Sequence, residues 1–172
     1  AWRKVYEGNV RDIVVARSGD RGATWSEPVR VHADNWVFDG CPHAGPSLQV
    51  DGKGRVHIAW WTGKDKAAGV YYARSQDGAR SFAQPVALGV AAYSRPAHVQ
   101  LALGEGDRVA AAWDDGTLMV PRVAFRESRD GGASFASTQL LSPAGRSAGF
   151  PVLAMTIRHF KRFVLWSNGR RK

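Results

Sequence analysis

A short stretch that occurs three times constrains this chain more than any other feature. Residues 16–25 read Ala-Arg-Ser-Gly-Asp-Arg-Gly-Ala-Thr-Trp, and versions of it return at 73–82 and 128–135. The shared core is Ser-x-Asp-x-Gly-x-(Thr/Ser)-(Trp/Phe). It is carried by Ser18, Asp20, Gly22 and Trp25, by Ser75, Asp77 and Phe82, and by Ser128, Asp130, Gly132 and Phe135, with Ala79 replacing the glycine in the middle copy. A period of about 55 residues marks a repeat architecture, in which each copy is one supersecondary unit that buries its apolar face against the next.

The residues between the copies say what the unit is made of. Helical periodicity is nearly absent, whereas apolar and polar residues alternate at 55–60 and 70–75, the pattern of strands. The 19 glycines and 8 prolines fall between the short runs, as turns do. Further landmarks keep the phase: a proline opening a strand (Pro46, Pro96, Pro151), a short loop with glycine or charge (51–54, 104–107, and a degenerate 157–160), and a strand ending in Trp60, Trp113 or Trp166. Each unit therefore reads as four strands, and copies of a four-stranded unit predict an all-β fold, a β-propeller of antiparallel blades rather than a sandwich.

The repeats run over 1–58, 59–111 and 112–166 in a single segment spanning 1–172. Ala1-Trp2 matches Ala59-Trp60, so the chain opens and closes within a Trp-strand and holds about three blade-equivalents, where a ring needs 4–8. The expectation is a piece of a longer propeller, or half of a six-bladed ring completed by a second copy through complementary half-blades.

Composition removes several classes of function. No run of about 18 apolar residues exists, so no membrane span is expected, and residues 1–172 contain no signal-peptide pattern. The net charge of +9 favours polyanions, but the basic residues are scattered apart from Lys161-Arg162 and Arg170-Arg171-Lys172. No aromatic-plus-basic motif accompanies them, which argues against nucleic acid. Cys41 is the only cysteine and makes no intramolecular disulfide.

The three Ser-x-Asp-x-Gly-x-(Thr/Ser)-(Trp/Phe) copies resemble the Asp-box, or bacterial neuraminidase repeat, of sialidase-like propellers, and the resemblance covers the whole chain. It implies that each box is a structural hairpin between the third and fourth strands of a blade. The aspartate accepts turn amides, the glycine permits positive φ, and Trp25, Phe82 or Phe135 covers the turn. It also implies that Asp20, Asp77 and Asp130 lie away from the active site, which directs the search to the opposite loops: 34–43, 93–98, 114–115 and 146–150.

Sialidases, by the same resemblance, bind the substrate carboxylate with three arginines and use a Glu-activated tyrosine and an aspartic acid. Guanidinium forks suit that carboxylate because they donate two parallel hydrogen bonds. Arg95 and Arg146 stand just ahead of Pro-strands and Arg122 enters a third strand, so these are the candidate substrate arginines. Tyr93 is the candidate nucleophile, although neither Glu105 nor Glu127 is placed to activate it. Asp39 and Asp114 are candidate acid/base groups, the latter against a plain turn reading of Asp114-Asp115-Gly116. His43 is a candidate sugar hydrogen-bond donor, and Trp36 and Trp61, which break the tryptophan phase, are candidates for exposed stacking on sugars. Cys41 and His43 lack a second ligand pair at zinc-site spacing, so no metal and no cofactor is expected.

The sequence thus points to a secreted or periplasmic sialidase-like glycoside hydrolase, or a segment of one, with an acidic glycan or glycoconjugate as partner. The competing reading is a non-catalytic propeller that binds glycans or protein partners through its loops.

Overall fold

The computed structural model describes residues 1–156 and 162–168. Apart from one turn of 3-10 helix at Glu7–Asn9, the regular structure is strand. A three-stranded antiparallel sheet comes first: β1 (Trp2–Val5), β2 (Arg11–Val15) and β3 (Val29–Arg30). Two four-stranded antiparallel sheets follow, each in simple up-and-down order. One is β4 (Ser47–Val50), β5 (Val56–Thr62), β6 (Ala68–Ser75) and β7 (Val86–Ala91); the other is β8 (Val99–Leu103), β9 (Val109–Asp115), β10 (Arg122–Ser128) and β11 (Gln139–Leu140). A pair, β12 (Ala148–Met155) and β13 (Arg162–Asn168), ends the described chain. The repeat boundaries at 58 and 111 fall inside β5 and β9 because the sequence phase is counted from the tryptophans.

Register repeats as faithfully as sequence does. Trp2 pairs with Val14, Trp60 with Tyr71 and Trp113 with Ala124, in each case four residues ahead of the hairpin serine. A one-residue slip would turn every side chain to the wrong face, so the shared register follows from the shared apolar pattern. Sheets then stack on sheets. Ile13, Val15 and Val31 of the first meet Ile58, Trp60 and Phe82 of the second; Tyr72 and Leu88 of the second meet Leu101, Trp113 and Phe135 of the third; Phe125 of the third meets Leu153 and Val164 of the fourth. Strands β5 and β9 are buried along their whole length apart from Asp114, because both of their faces are covered. That is why 58–61 and 109–113 read as continuous apolar runs, and why His57, within β5, needs buried polar partners.

The three Ser–Asp hairpins are built alike. Ser18 Oγ accepts the Gly22 amide (2.7 Å) and donates to Asp20 Oδ1 (2.7 Å), while Asp20 accepts the Thr24 amide (2.9 Å) and hydroxyl (2.6 Å). Ser75 with Ala79, Asp77 and Ser81, and Ser128 with Gly132, Asp130 and Ser134, repeat the arrangement. The Thr24 hydroxyl and amide, with the Ser18 hydroxyl, hold the exposed Asp20 carboxyl down to about 2.

Several expectations need correction. Phe82 and Phe135 pack against the sheet preceding their own, but Trp25 has no preceding sheet beneath it and is 66% exposed, so it does not cover its turn. Pro96 does not open a strand: β8 begins three residues later, at Val99. Pro151 lies within β12, at a register shift between Gly149 and Val152, where its missing N–H costs no ladder bond. Trp60 and Trp113 are fully buried, whereas Trp166 is only half-buried. The first and last sheets both contain a Trp-strand, so they duplicate one strand position instead of dividing four between them. The 157–160 loop, Lys161 and the basic cluster at 170–172 lie outside the described residues.

Candidate functional site at the loop end of the sheets

Each sheet has two ends. One carries the Ser–Asp hairpins and the short β4–β5 and β8–β9 turns, and its polar groups are committed to one another. Asp51 accepts from Arg55 Nε (2.5 Å), Arg55 also reaches Asp107, and Lys53 Nζ lies 2.9 Å from Asp107. His57, with no exposed surface, is wedged between the Tyr72 hydroxyl (2.7 Å) and Asp51 Oδ2 (3.2 Å). A cleft of about 490 Å3 opens at this end beside the third hairpin and β13. Its carboxylates are already used, Asp130 in the hairpin and Glu127 in ion pairs with Arg108 (2.7 Å) and Arg162 (3.0 Å). Glu127 is therefore remote from Tyr93.

The other end gathers the long connections and is where free functional groups lie. A cleft of about 430 Å3 is bounded by residues 36–42, 61–68 and 92–96, and its lining is mostly apolar: Trp36, Phe38, Pro42, Trp61, Tyr93 and Pro96. Contrary to the expectation of exposed stacking rings, Trp36 and Trp61 are only 6% and 3% exposed. They pack edge to face with centroids 5.0 Å apart and form the floor of the cleft. Their departure from the tryptophan phase reflects a second buried layer, not a surface. The accessible rings are Tyr93, 72% exposed, and Phe38, which stacks on Trp36 at 4.9 Å. Phe38 and Asp65, also in the lining, were not expected; the alternation Trp36-x-Phe38 is the signal that would have found the former.

Arg3 fastens the floor from below. It donates to the carbonyls of Ala44 (3.1 Å) and Trp61 (2.5 Å) and lies over the Trp36 ring, and burial lowers its pKa to about 10. Asp34 and His32 belong to the scaffold as well. Asp34 Oδ2 accepts the Trp60 indole N–H (2.7 Å), and burial raises its pKa.

The remaining candidates are scattered along this end. Asp39, His43, Arg95 and Arg146 are exposed. Cys41 Sγ lies 3.6 Å from His43 Nδ1, and among the described residues no group of three or more metal-ligating side chains forms. Arg122 does not face solvent as a carboxylate ligand: Nε donates to the Ser142 carbonyl (2.9 Å) and a terminal nitrogen donates to the same oxygen, which stitches β10 to the connection after β11. The two aspartates of Asp114-Asp115 part company. Asp115 Oδ1 accepts the Thr117 amide (3.0 Å) and hydroxyl (2.5 Å), a turn role. Asp114 faces His98, a residue of the 93–98 loop to which the sequence alone assigns no role.

No family model matches the chain, and no curated protein matches its sequence. Solved structures do. The intramolecular trans-sialidase from Ruminococcus gnavus, in complex with oseltamivir carboxylate, superposes with a TM-score of 0.52 at 13% identity over 81% of this chain. A Hadza microbial sialidase gives 0.53 at 20% identity over 95%. The fold is sialidase-like. An ulvan lyase of a new polysaccharide lyase family, bound to a glucuronate–sulfated rhamnose unit, gives 0.55 at 12% identity over 85%. The sialidase-like chain spans 30%, 39% and 40% of the trans-sialidase, the Hadza sialidase and the lyase respectively.

Proposed function

We propose that this chain is the glycan-contacting part of a secreted or periplasmic Asp-box β-propeller that hydrolyses acidic glycans. The observation that carries the reading is the loop-end cleft, where the exposed Tyr93 and Phe38 stand over a rigid Trp36–Trp61 floor. Apolar sugar faces stack on rings held this way, since little conformational entropy is lost when they bind. Arg95 and Arg146, exposed at the same end, supply cationic partners for a carboxylate, in keeping with the net charge of +9. Two sialidases and a polysaccharide lyase are among the solved structures sharing the fold, which supports a glycan as ligand.

The commitment of Arg122 to the Ser142 carbonyl favours a second reading, because it removes one of three carboxylate-binding arginines. In that reading the loop end binds glycans without cleaving them. Sialylated and glucuronate-terminated oligosaccharides decide between the two: binding with release of a shorter glycan supports the hydrolase, binding without release supports the binding module, and absence of binding overturns both.

A further inference from the structure

We infer that His98 is the proton-transfer group of the loop end and that Asp114 is the residue that positions it, an inference that rests on the glycan-hydrolase reading above. The repeat supplies the comparison. Ser47 pairs with Ala59, Val99 with Trp113, and Gly149 with Ser167. Counted from the tryptophans, the residue facing the position after Trp is Gly45 opposite Trp61, His98 opposite Asp114, and Gly149 opposite Ser167. Two sheets close this step with glycine, in one of them with the Ser167 hydroxyl donating to the Gly149 carbonyl (3.1 Å), and neither uses a pair of ionisable side chains. The third sheet alone places a histidine and a carboxylate there.

The geometry is that of an oriented imidazole. Asp114 Oδ1 accepts the backbone N–H of His98, and Oδ2 lies 3.2 Å from His98 Nδ1. A strand clasp needs only the first contact; the second fixes the ring. A carboxylate only accepts, so Nδ1 carries the hydrogen and Nε2 is left with the lone pair. The Asp114 side chain is 14% exposed and that of His98 33%, so the carboxylate is sheltered while the imidazole reaches solvent. Phe150 closes one face of the ring, with centroids 4.2 Å apart. It does so at φ +54, in the left-handed region that a bulky residue rarely enters. Beside it Gly149 packs against the Asp114 carboxylate, with a Cβ position 3.4 Å from Oδ2.

With a glycan bound across the loop end, His98 first takes up a proton from solvent on Nε2 and then gives it to the leaving glycosidic oxygen as the C–O bond breaks and its electron pair stays with that oxygen. Neutral Nε2 then takes a proton from water as a water lone pair forms the new bond to the same carbon. One glycosidic bond and one water are consumed, and His98 regains the proton it gave. Asp114 holds the ring throughout and does not itself exchange the proton.

Two readouts test this. In long-range 1H–15N correlation spectra at pH 8, His98 should show a protonated Nδ1 and a bare Nε2, and Asp114→Asn should abolish that preference. On saturation with 3′-sialyllactose or a glucuronate-terminated oligosaccharide, whichever the wild type binds, the Nε2 signal should move. Turnover should then fall at least about hundredfold in His98→Gln, with affinity within about twofold. A protonated Nε2 in the free protein at that pH, an unmoved Nε2 at saturation, turnover that survives His98→Gln, or wild-type binding without turnover would each overturn the inference. Failure of the wild type to bind either glycan would defeat the glycan reading instead and remove this role with it.

Discussion

Phe135 stands edge-on to Tyr72 of the preceding sheet, ring centroids 4.9 Å apart, and so ties the third Ser–Asp hairpin to a neighbour it does not hydrogen-bond as a strand. The equivalent ring of the first hairpin, Trp25, is solvated. Phe135→Ala should cost about 2–3 kcal/mol in urea denaturation, whereas Trp25→Ala should stay within about 0.5 kcal/mol. Equal losses in the two variants would show that the rings serve their own turns.

Gly132 makes the same junction from the backbone side. Its φ is +81, and a Cβ there would collide with the Tyr72 hydroxyl, itself held by His57. Gly132→Ala should therefore destabilise by about 3 kcal/mol, through strain and overpacking together. Gly22→Ala, with nothing within 4 Å of a Cβ, keeps only the strain and should cost about 1 kcal/mol. Thermal melts of the two variants check the difference.

Acid should weaken the same junction. Burial lowers the pKa of His57, despite its hydrogen bond to Asp51, so the folded protein favours the neutral ring. The unfolded chain binds the proton more readily, and stability present above about pH 6.5 is lost as pH falls below that value. Denaturation midpoints should accordingly drop between pH 7.5 and pH 5.5. The drop should shrink in His57→Gln; an unchanged pH dependence in that variant would assign the effect elsewhere.

At the loop end, Tyr93→Ala should weaken glycan affinity about tenfold, or about 1.4 kcal/mol. Arg122→Ala should leave that affinity unchanged while lowering stability by about 2 kcal/mol, the worth of a charged donor on the buried Ser142 carbonyl. Calorimetric titration alongside a melt separates the two. A large affinity loss in Arg122→Ala would return that arginine to the binding site.

Much of the fold could be read from residues alone, because its determinants are local and tripled. Ser18, Ser75 and Ser128 each meet a turn amide four residues on, a contact that sequence spacing specifies completely. The candidate site was less legible, since it joins residues brought together only by the stacking of sheets. Tyr93 and Asp114 were found at the loop end, but nothing in the order of residues shows that Asp114 faces His98 or that Arg122 turns back onto Ser142. Trp36 and Trp61 misled for the same reason. Being out of phase distinguishes a tryptophan from its counterparts, yet only the fold shows that a second apolar layer receives it.

The register step held by Gly45, His98 and Gly149 has a consequence for how such a chain can acquire new chemistry. Hairpin and tryptophan contacts fix the second and third sheets from the far end and along their middle, and at this step Gly45 has nothing within 4 Å of where a Cβ would stand. A side chain introduced at Gly45 meets open space, and one at Gly149 meets Asp114 of the adjoining sheet. The same frame thus accepts different side chains at this step from copy to copy, and the contact of His98 with Asp114 is the variation that the third sheet carries.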